Sequence, residues 1–146
     1  MYQEREFCRT EQEEAAGAST MPRLLAVDDH PDSAELVARV AKRCGYEAHH
    51  ASDSRRIRAL LAETRPTLLS IDLCMPEMDG IELFEELKAA GYAGEVLLIS
   101  GQSAQLRESA ARLAVIKGIT VVGNLQKPVD IAQLRILLKE QRRSHA

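Results

Sequence analysis

The chain has 146 residues, 45% of them hydrophobic and 28% charged, which is the balance of a globular domain and excludes a fibrous or unstructured chain. One ordinary domain fits this length, and two do not. Nineteen Lys and Arg against twenty-two Asp and Glu leave a net charge of -3, with no basic excess to hold a phosphate backbone, so direct nucleic acid binding is not expected.

Residues 1–22 carry five Glu and two Arg, while the seventeen acidic and seventeen basic residues after Met21 balance. This head, MYQEREFCRTEQEEAAGAST, lacks the apolar run of a signal peptide and is too rich in Glu for a mitochondrial presequence. It is expected to be an acidic, mobile tail. The longest stretch without Asp, Glu, Lys or Arg, Val96 to Leu106, is eleven residues, well short of the about 20 that cross a membrane. Cys8, Cys44 and Cys74 are odd in number and form no CxxC, which fits a reduced compartment. A cytoplasmic protein with no membrane partner is the expectation.

From Arg23 the pattern alternates short apolar runs with segments of helical period, as in a parallel sheet with crossover helices. The first strand is expected at Arg23 to Val27. A helix follows over Asp32 to Cys44, where Val37, Val40, Ala41 and Cys44 share one face and Gly45 supplies the stop. The second strand, Glu47 to Ala51, carries His49 and His50 and suits a sheet edge. Its helix spans Ser54 to Thr64. The third strand, Thr67 to Ile71, and the fourth, Glu95 to Ile99, are continuously apolar, as strands covered on both faces should be. Helices over Gly80 to Ala90 and Ala104 to Lys117 end at Gly91 and Gly118. A fifth strand at Thr120 to Leu125 and a fifth helix at Ile131 to Arg142 complete the set, with residues 23–141 as the domain and 142–146 as a short basic tail. Right-handed crossovers leave few open sheets for five such units, and the α/β, flavodoxin-like, doubly wound order 2-1-3-4-5 fits about 120 residues.

That order makes strands 1 and 3 neighbours and opens a crevice at their carboxyl ends. Asp28 and Asp29 follow strand 1, and Asp72 follows strand 3. Three carboxylates in one crevice repel one another, so a compensating cation is implied, and an all-oxygen acidic site suits Mg²⁺. Ser100 and Lys127 stand after strands 4 and 5. A nucleophilic carboxylate, a metal, a hydroxyl donor and an ammonium together form an apparatus for handling a phosphoryl group. Singly, each residue has a plainer reading: Asp28 and Asp29 as helix caps, Asp72 as a turn residue, Lys127 as a solvated loop lysine. His30 reads as a helix-entry residue, Cys74 as a structural thiol, and Arg55, Arg56 and Arg58 as a solvated helix face.

The stretches LLAVDD, SIDLCMPEMDG, LLISG and LQKP, in this order and at strand ends, resemble the receiver domain of bacterial two-component response regulators over about Arg23 to Glu140. Met75, Pro76, Asp79 and Gly80 match the family's loop after the acceptor aspartate. The resemblance implies that Asp72 accepts a phosphoryl group from a sensor histidine kinase or phosphotransfer protein, and that Asp29 and Asp72 ligate Mg²⁺ together with the Cys74 backbone carbonyl. It also implies that Asp28 holds the metal through water, Ser100 is the switch hydroxyl and Lys127 binds the phosphate. The chain would then be a signalling domain and not an enzyme with a substrate of its own. Helix 5 is followed only by QRRSHA, so either a single-domain regulator or a piece of a longer one is expected.

Two features depart from the family pattern. Three positions before Lys127, where most receivers have Tyr or Phe, stands Asn124, expected to stay near the surface. VVGNLQKP looks like receivers joined to EAL-class cyclic-di-GMP phosphodiesterase domains. Ile136 and Leu137 add apolar surface beyond the stripe of Ile131, Leu134 and Leu138, so a homodimer or effector surface is expected around helix 4, strand 5 and helix 5. Among alternatives, a haloacid-dehalogenase-like phosphatase needs a second Asp where Cys74 stands, and an FMN binder needs a phosphate loop in place of DDHPDS. A receiver-like scaffold independent of phosphate is the remaining alternative.

Overall fold

Continuous apolar runs form strands here because both faces of the sheet are covered, and the periodic segments between them form the covering helices. The computed structural model describes residues 21–73, 80–101 and 103–144. The strands are β1 (Arg23–Val27), β2 (Glu47–Ala51), β3 (Leu68–Asp72), β4 (Glu95–Ser100) and β5 (Thr120–Gln126). The helices are α1 (Pro31–Arg43), α2 (Ile57–Thr64), α3 (Gly80–Ala89), α4 (Ala104–Ile116) and α5 (Ile131–Ser144). All neighbouring pairs are parallel, and the order is β2-β1-β3-β4-β5, as the sequence implies.

Alternate residues of the central strands feed two cores. Leu24, Ala26, Leu68, Leu97 and Ile99 pack under α1 and α5, while Leu25, Val27, Leu69, Ile71, Val96 and Leu98 pack under α2, α3 and α4. β2 lies at an edge, with His49 and His50 exposed. α1 closes with the Gly45 amide on the Lys42 carbonyl (3.2 Å) and the Tyr46 amide on the Ala41 carbonyl (3.0 Å), while Gly45 sits at φ 95°. A side chain would strain that conformation, and burial of Tyr46 completes the motif. The same pair of bonds closes α3 at Gly91 and α4 at Gly118.

Several boundaries differ from the sequence expectation. The helix expected from Ser54 begins as a separate 3₁₀ turn, Ser54–Arg56, because the Arg56 amide bonds the Asp53 carbonyl three residues back (3.2 Å). β3 is displaced by one residue. The Thr67 amide and hydroxyl are bonded to the Arg23 carbonyl, and pairing with β4 continues through Asp72 opposite Ile99. α5 continues through Arg142 and Arg143 to Ser144, so much of the short tail expected at 142–146 is helical.

β5 contains an extra residue. Val96 pairs with Val121 but Leu97 pairs with Gly123, leaving Val122 as a bulge. A Cβ at Gly123 would collide with methyl groups of Leu137 and Leu97. Leu137 is therefore packing against the sheet, not spare partner surface, and Ile136 alone of the two stands out, at 60% exposure.

Candidate functional site

Because every strand is parallel, the carboxyl ends of β1, β3, β4 and β5 lie along one edge of the sheet and bring their last or next residues together. Asp72 ends β3 and is 2% exposed, Ser100 ends β4 and is fully buried, and Asp28 directly follows β1 and is buried. Lys127 directly follows β5, and its amide donates to the Ser100 carbonyl at 2.8 Å, which aims its side chain back over the sheet end. Its Nζ lies 2.7 Å from Asp28 Oδ2 and 3.2 Å from Asp72 Oδ2. Burial works against the charge on Lys127, but the hydrogen bond it donates to Asp28 and the charges of Asp72 and Asp28 outweigh it and hold the ammonium pKa above its ordinary value. The Lys127–Pro128 peptide is cis.

Asp28 does not cap α1, whose N-cap residue is His30 with no side-chain cap bond. Asp28 Oδ1 accepts the His30 amide at 2.9 Å, a local turn, while Oδ2 takes the lysine. His30 is the residue capping α1, as expected, yet its Nδ1 also lies 3.3 Å from Asp29 Oδ1 and 3.4 Å from Asp28 Oδ1, an approach the sequence reading missed. A histidine directly after a paired Asp was the available signal. The ring is 70% exposed and can turn away.

Asp28, Asp29, His30 and Asp72 each offer a ligand atom, and these atoms lie within 4.8 Å of one another. The cluster holds three carboxylates and Lys127 pairs with two of them, Asp28 and Asp72, which leaves two negative charges for a divalent cation to balance. Asp29 Oδ1 is buried and among the described residues makes no hydrogen bond, with only the exposed His30 ring nitrogen near it at 3.3 Å. A buried carboxylate oxygen left in this way is costly unless a cation meets it. The donor set therefore fits a hard, oxygen-seeking ion such as Mg²⁺. Cys74, and with it the carbonyl expected to join the set, lies outside the described residues, as does the loop through Met75, Pro76 and Asp79.

Asn124 departs from expectation. It is half-buried, and its Nδ2 donates to the Arg107 carbonyl in α4 at 2.9 Å while Arg107 Nη1 reaches the Asn124 carbonyl at 3.4 Å. Asn124 Oδ1 is buried with no partner. The expectation that it stays near the surface fails because edge strand β5 runs beside α4 and the amide turns inward to a main-chain acceptor there. The three Arg of the second helical segment are exposed as expected, and each is also ion-paired: Arg55 with Asp53, Arg56 with Glu63, Arg58 with Glu86.

The response regulator receiver domain model matches residues 24–139, and the chain belongs to that family. It is 26% identical to sporulation initiation phosphotransferase F of Bacillus subtilis over 120 residues, covering 81% of this chain and 91% of that protein. It is 34% identical over 68 residues to the DNA-binding dual master transcriptional regulator RpaA of Synechocystis, covering 47% of this chain but 28% of that longer protein. Among solved structures, a response regulator from Colwellia psychrerythraea superimposes with a TM-score of 0.73 at 25% identity, over 86% of this chain and 99% of that one. None of these matches carries the link to EAL domains. No helix among the described residues is long and apolar enough to cross a membrane.

Proposed function

We propose that Asp72 accepts a phosphoryl group from a phosphohistidine of a sensor histidine kinase or phosphotransfer protein in the cytoplasm, and that the acyl phosphate changes what the surface of α4, β5 and α5 binds. One observation carries this reading: three carboxylates lie together, Lys127 pairs with only two of them, and a buried Asp29 oxygen makes no hydrogen bond and has, among the described residues, only the exposed His30 ring near it. An Asp72 oxygen forms the new bond to phosphorus while the bond from phosphorus to the donor imidazole nitrogen breaks, and that nitrogen keeps the electron pair and takes up a proton. Lys127 gives up part of its pairing with Asp28 and Asp72 to meet a phosphoryl oxygen, and the Ser100 hydroxyl donates to another. Mg²⁺, held by Asp28, Asp29 and Asp72 with the Cys74 carbonyl, would neutralise charge on the transferring group. A cleft of about 450 Å³ flanks the site, lined by Asp28, Lys127 and the apolar Leu36, Val37, Pro128 and Val129. A donor helix covering these side chains would exclude water from the transfer. The chain acts as a signalling domain and catalyses only its own phosphorylation and dephosphorylation.

Acetyl phosphate with Mg²⁺ should add one phosphoryl mass to the parent chain and none to Asp72→Asn, and chelation should abolish the adduct. A stoichiometric adduct on Asp72→Asn would refute the assignment.

A further inference from the structure

At the edge of the sheet opposite the acidic site, the ends of α1 and α5 enclose a cleft of about 300 Å³ lined by Arg43, Cys44, Lys139, Arg142 and Arg143. Lys42 precedes Arg43 in the last turn of α1. Cations near helix C-termini answer the helix dipole, but here those of two helices converge and repel. Elsewhere several basic residues are ion-paired: Arg39 with Glu35, Arg58 with Glu86, Lys117 with Glu85. None of the cleft cations has a carboxylate partner among the described residues.

The chain supplies a matching anion next to this corner. The Pro22 carbonyl accepts the Glu47 amide at 2.9 Å, so the segment before Met21 leaves the fold beside β2. Two residues before Glu47, Gly45 packs against the guanidinium of Arg142, which a Cβ there would meet at 2.5 Å. The exit point and the cleft rim are thus contiguous. Residues 1–20 hold five Glu against two Arg, with Glu11, Glu13 and Glu14 closest to the exit. Eight residues of extended chain reach at most about 27 Å, enough to bring Glu14 across the cleft.

We propose that the acidic segment 1–20 of the same chain docks in this basic cleft, with Glu11, Glu13 and Glu14 meeting Arg43, Lys139, Arg142 and Arg143. The contact would cover the C-terminal ends of α1 and α5 and withhold them from other acidic partners.

Zero-length carbodiimide coupling of the full chain, mapped by tandem mass spectrometry, tests this, because it joins only carboxylates and amines in ion-pair contact. Cross-links from Glu11, Glu13 or Glu14 should fall on Lys139 and Lys42 about fivefold more than on exposed Lys88, within monomers, and should fade in about 0.5 M salt as screening predicts. In parallel, Glu11→Gln/Glu13→Gln/Glu14→Gln should shift the amide resonances of Arg43, Gly45, Lys139 and Arg142. Coupling to Lys88 as often as to Lys139, links found only between isotopically distinct copies, or unchanged amides in the triple variant would each overturn the proposal.

Discussion

Replacing Asn124 with leucine should make the protein more stable, although it deletes a hydrogen bond. The Asn124 amide donates to the Arg107 carbonyl at 2.9 Å, a bond worth about 0.5 to 1.5 kcal/mol net. That carbonyl lies within α4 and keeps its place in the helical ladder when the amide is gone. Against this stands Asn124 Oδ1, buried without a partner, at a cost of about 1 to 3 kcal/mol. Leucine has nearly the same shape and carries neither group. It also suits an extended strand better than asparagine. The balance is a gain of about 1 kcal/mol, which in a domain of this size raises Tm by roughly 3 to 6 °C. Thermal melts and urea titrations without Mg²⁺ read the difference, and an unchanged m-value assigns it to stability. Asn124→Asp, which turns an acceptor toward the Arg107 carbonyl and places charge in the same pocket, should lose about 2 kcal/mol or more. A lower Tm for Asn124→Leu would refute the reasoning, since it would mean that the buried oxygen is paid for by a contact that leucine destroys.

Three further outcomes are expected. Lys127→Ala leaves Asp28 and Asp72 facing each other without their ammonium, so it should cost about 1.5 to 3 kcal/mol in metal-free buffer. Mg²⁺ should return part of that loss, and the beryllofluoride-induced amide shifts of the parent should be missing; equal melting of variant and parent would refute the pairing. Mg²⁺ at ten times its Kd should stabilise the parent by about 1.4 kcal/mol, and Asp29→Ala should melt at the same temperature with and without it; a persisting shift would remove Asp29 from the metal set. Burial, reinforced by Cys44 and Glu95 and opposed by Arg142, pushes the Tyr46 phenol from 10.0 up to about 12. A raised folded pKa means stability that is intact below pH 10 and lost as the pH climbs to about 12, roughly 3 kcal/mol in all. Tyr46→Phe gives up the 2.6 Å bond to the Leu138 carbonyl, costing about 1 kcal/mol at neutral pH, and its alkaline decline should be shallower than the parent's. Parallel stability curves above pH 10 would exclude Tyr46 as the titrating group.

The central strands were legible because LLAV, LLSI and VLLI are apolar on both faces, a signal that needs no knowledge of neighbours. Asp28, Asp29, Asp72, Ser100 and Lys127 were legible for a related reason. Once the strands are parallel, residues at their carboxyl ends must share an edge, whatever their separation in the chain. What stayed hidden depends on contacts between distant segments. That Lys127 sits closer to Asp28 than to Asp72 is a matter of rotamer and approach, which spacing does not encode. Asn124 and Arg107 are seventeen residues apart and follow no local pattern, so their mutual bonding waited on α4 lying beside β5. The pairing of Arg58 with Glu86 across α2 and α3 is of the same kind.

The bulge at Val122 has a chemical consequence at the far end of its strand. With it, Ser100 lies opposite Gln126, and the next residue to reach the acidic edge is Lys127. Were β5 to run without the irregularity, Leu97 would face Val122, every later partner would slip by one, and Ser100 would face Leu125. Gln126 would then arrive beside Asp28 and Asp72 with a neutral carboxamide, while Lys127 stood one step, about 3.3 Å, further out with its side chain sent to the other face. Whether a cation or an amide meets the carboxylates is thus decided by a one-residue offset between two strands, set where Gly123 lets Leu97 and Leu137 close in. An insertion or deletion between Val121 and Gly123 would exchange the charge at the site while leaving each of its acidic residues in place.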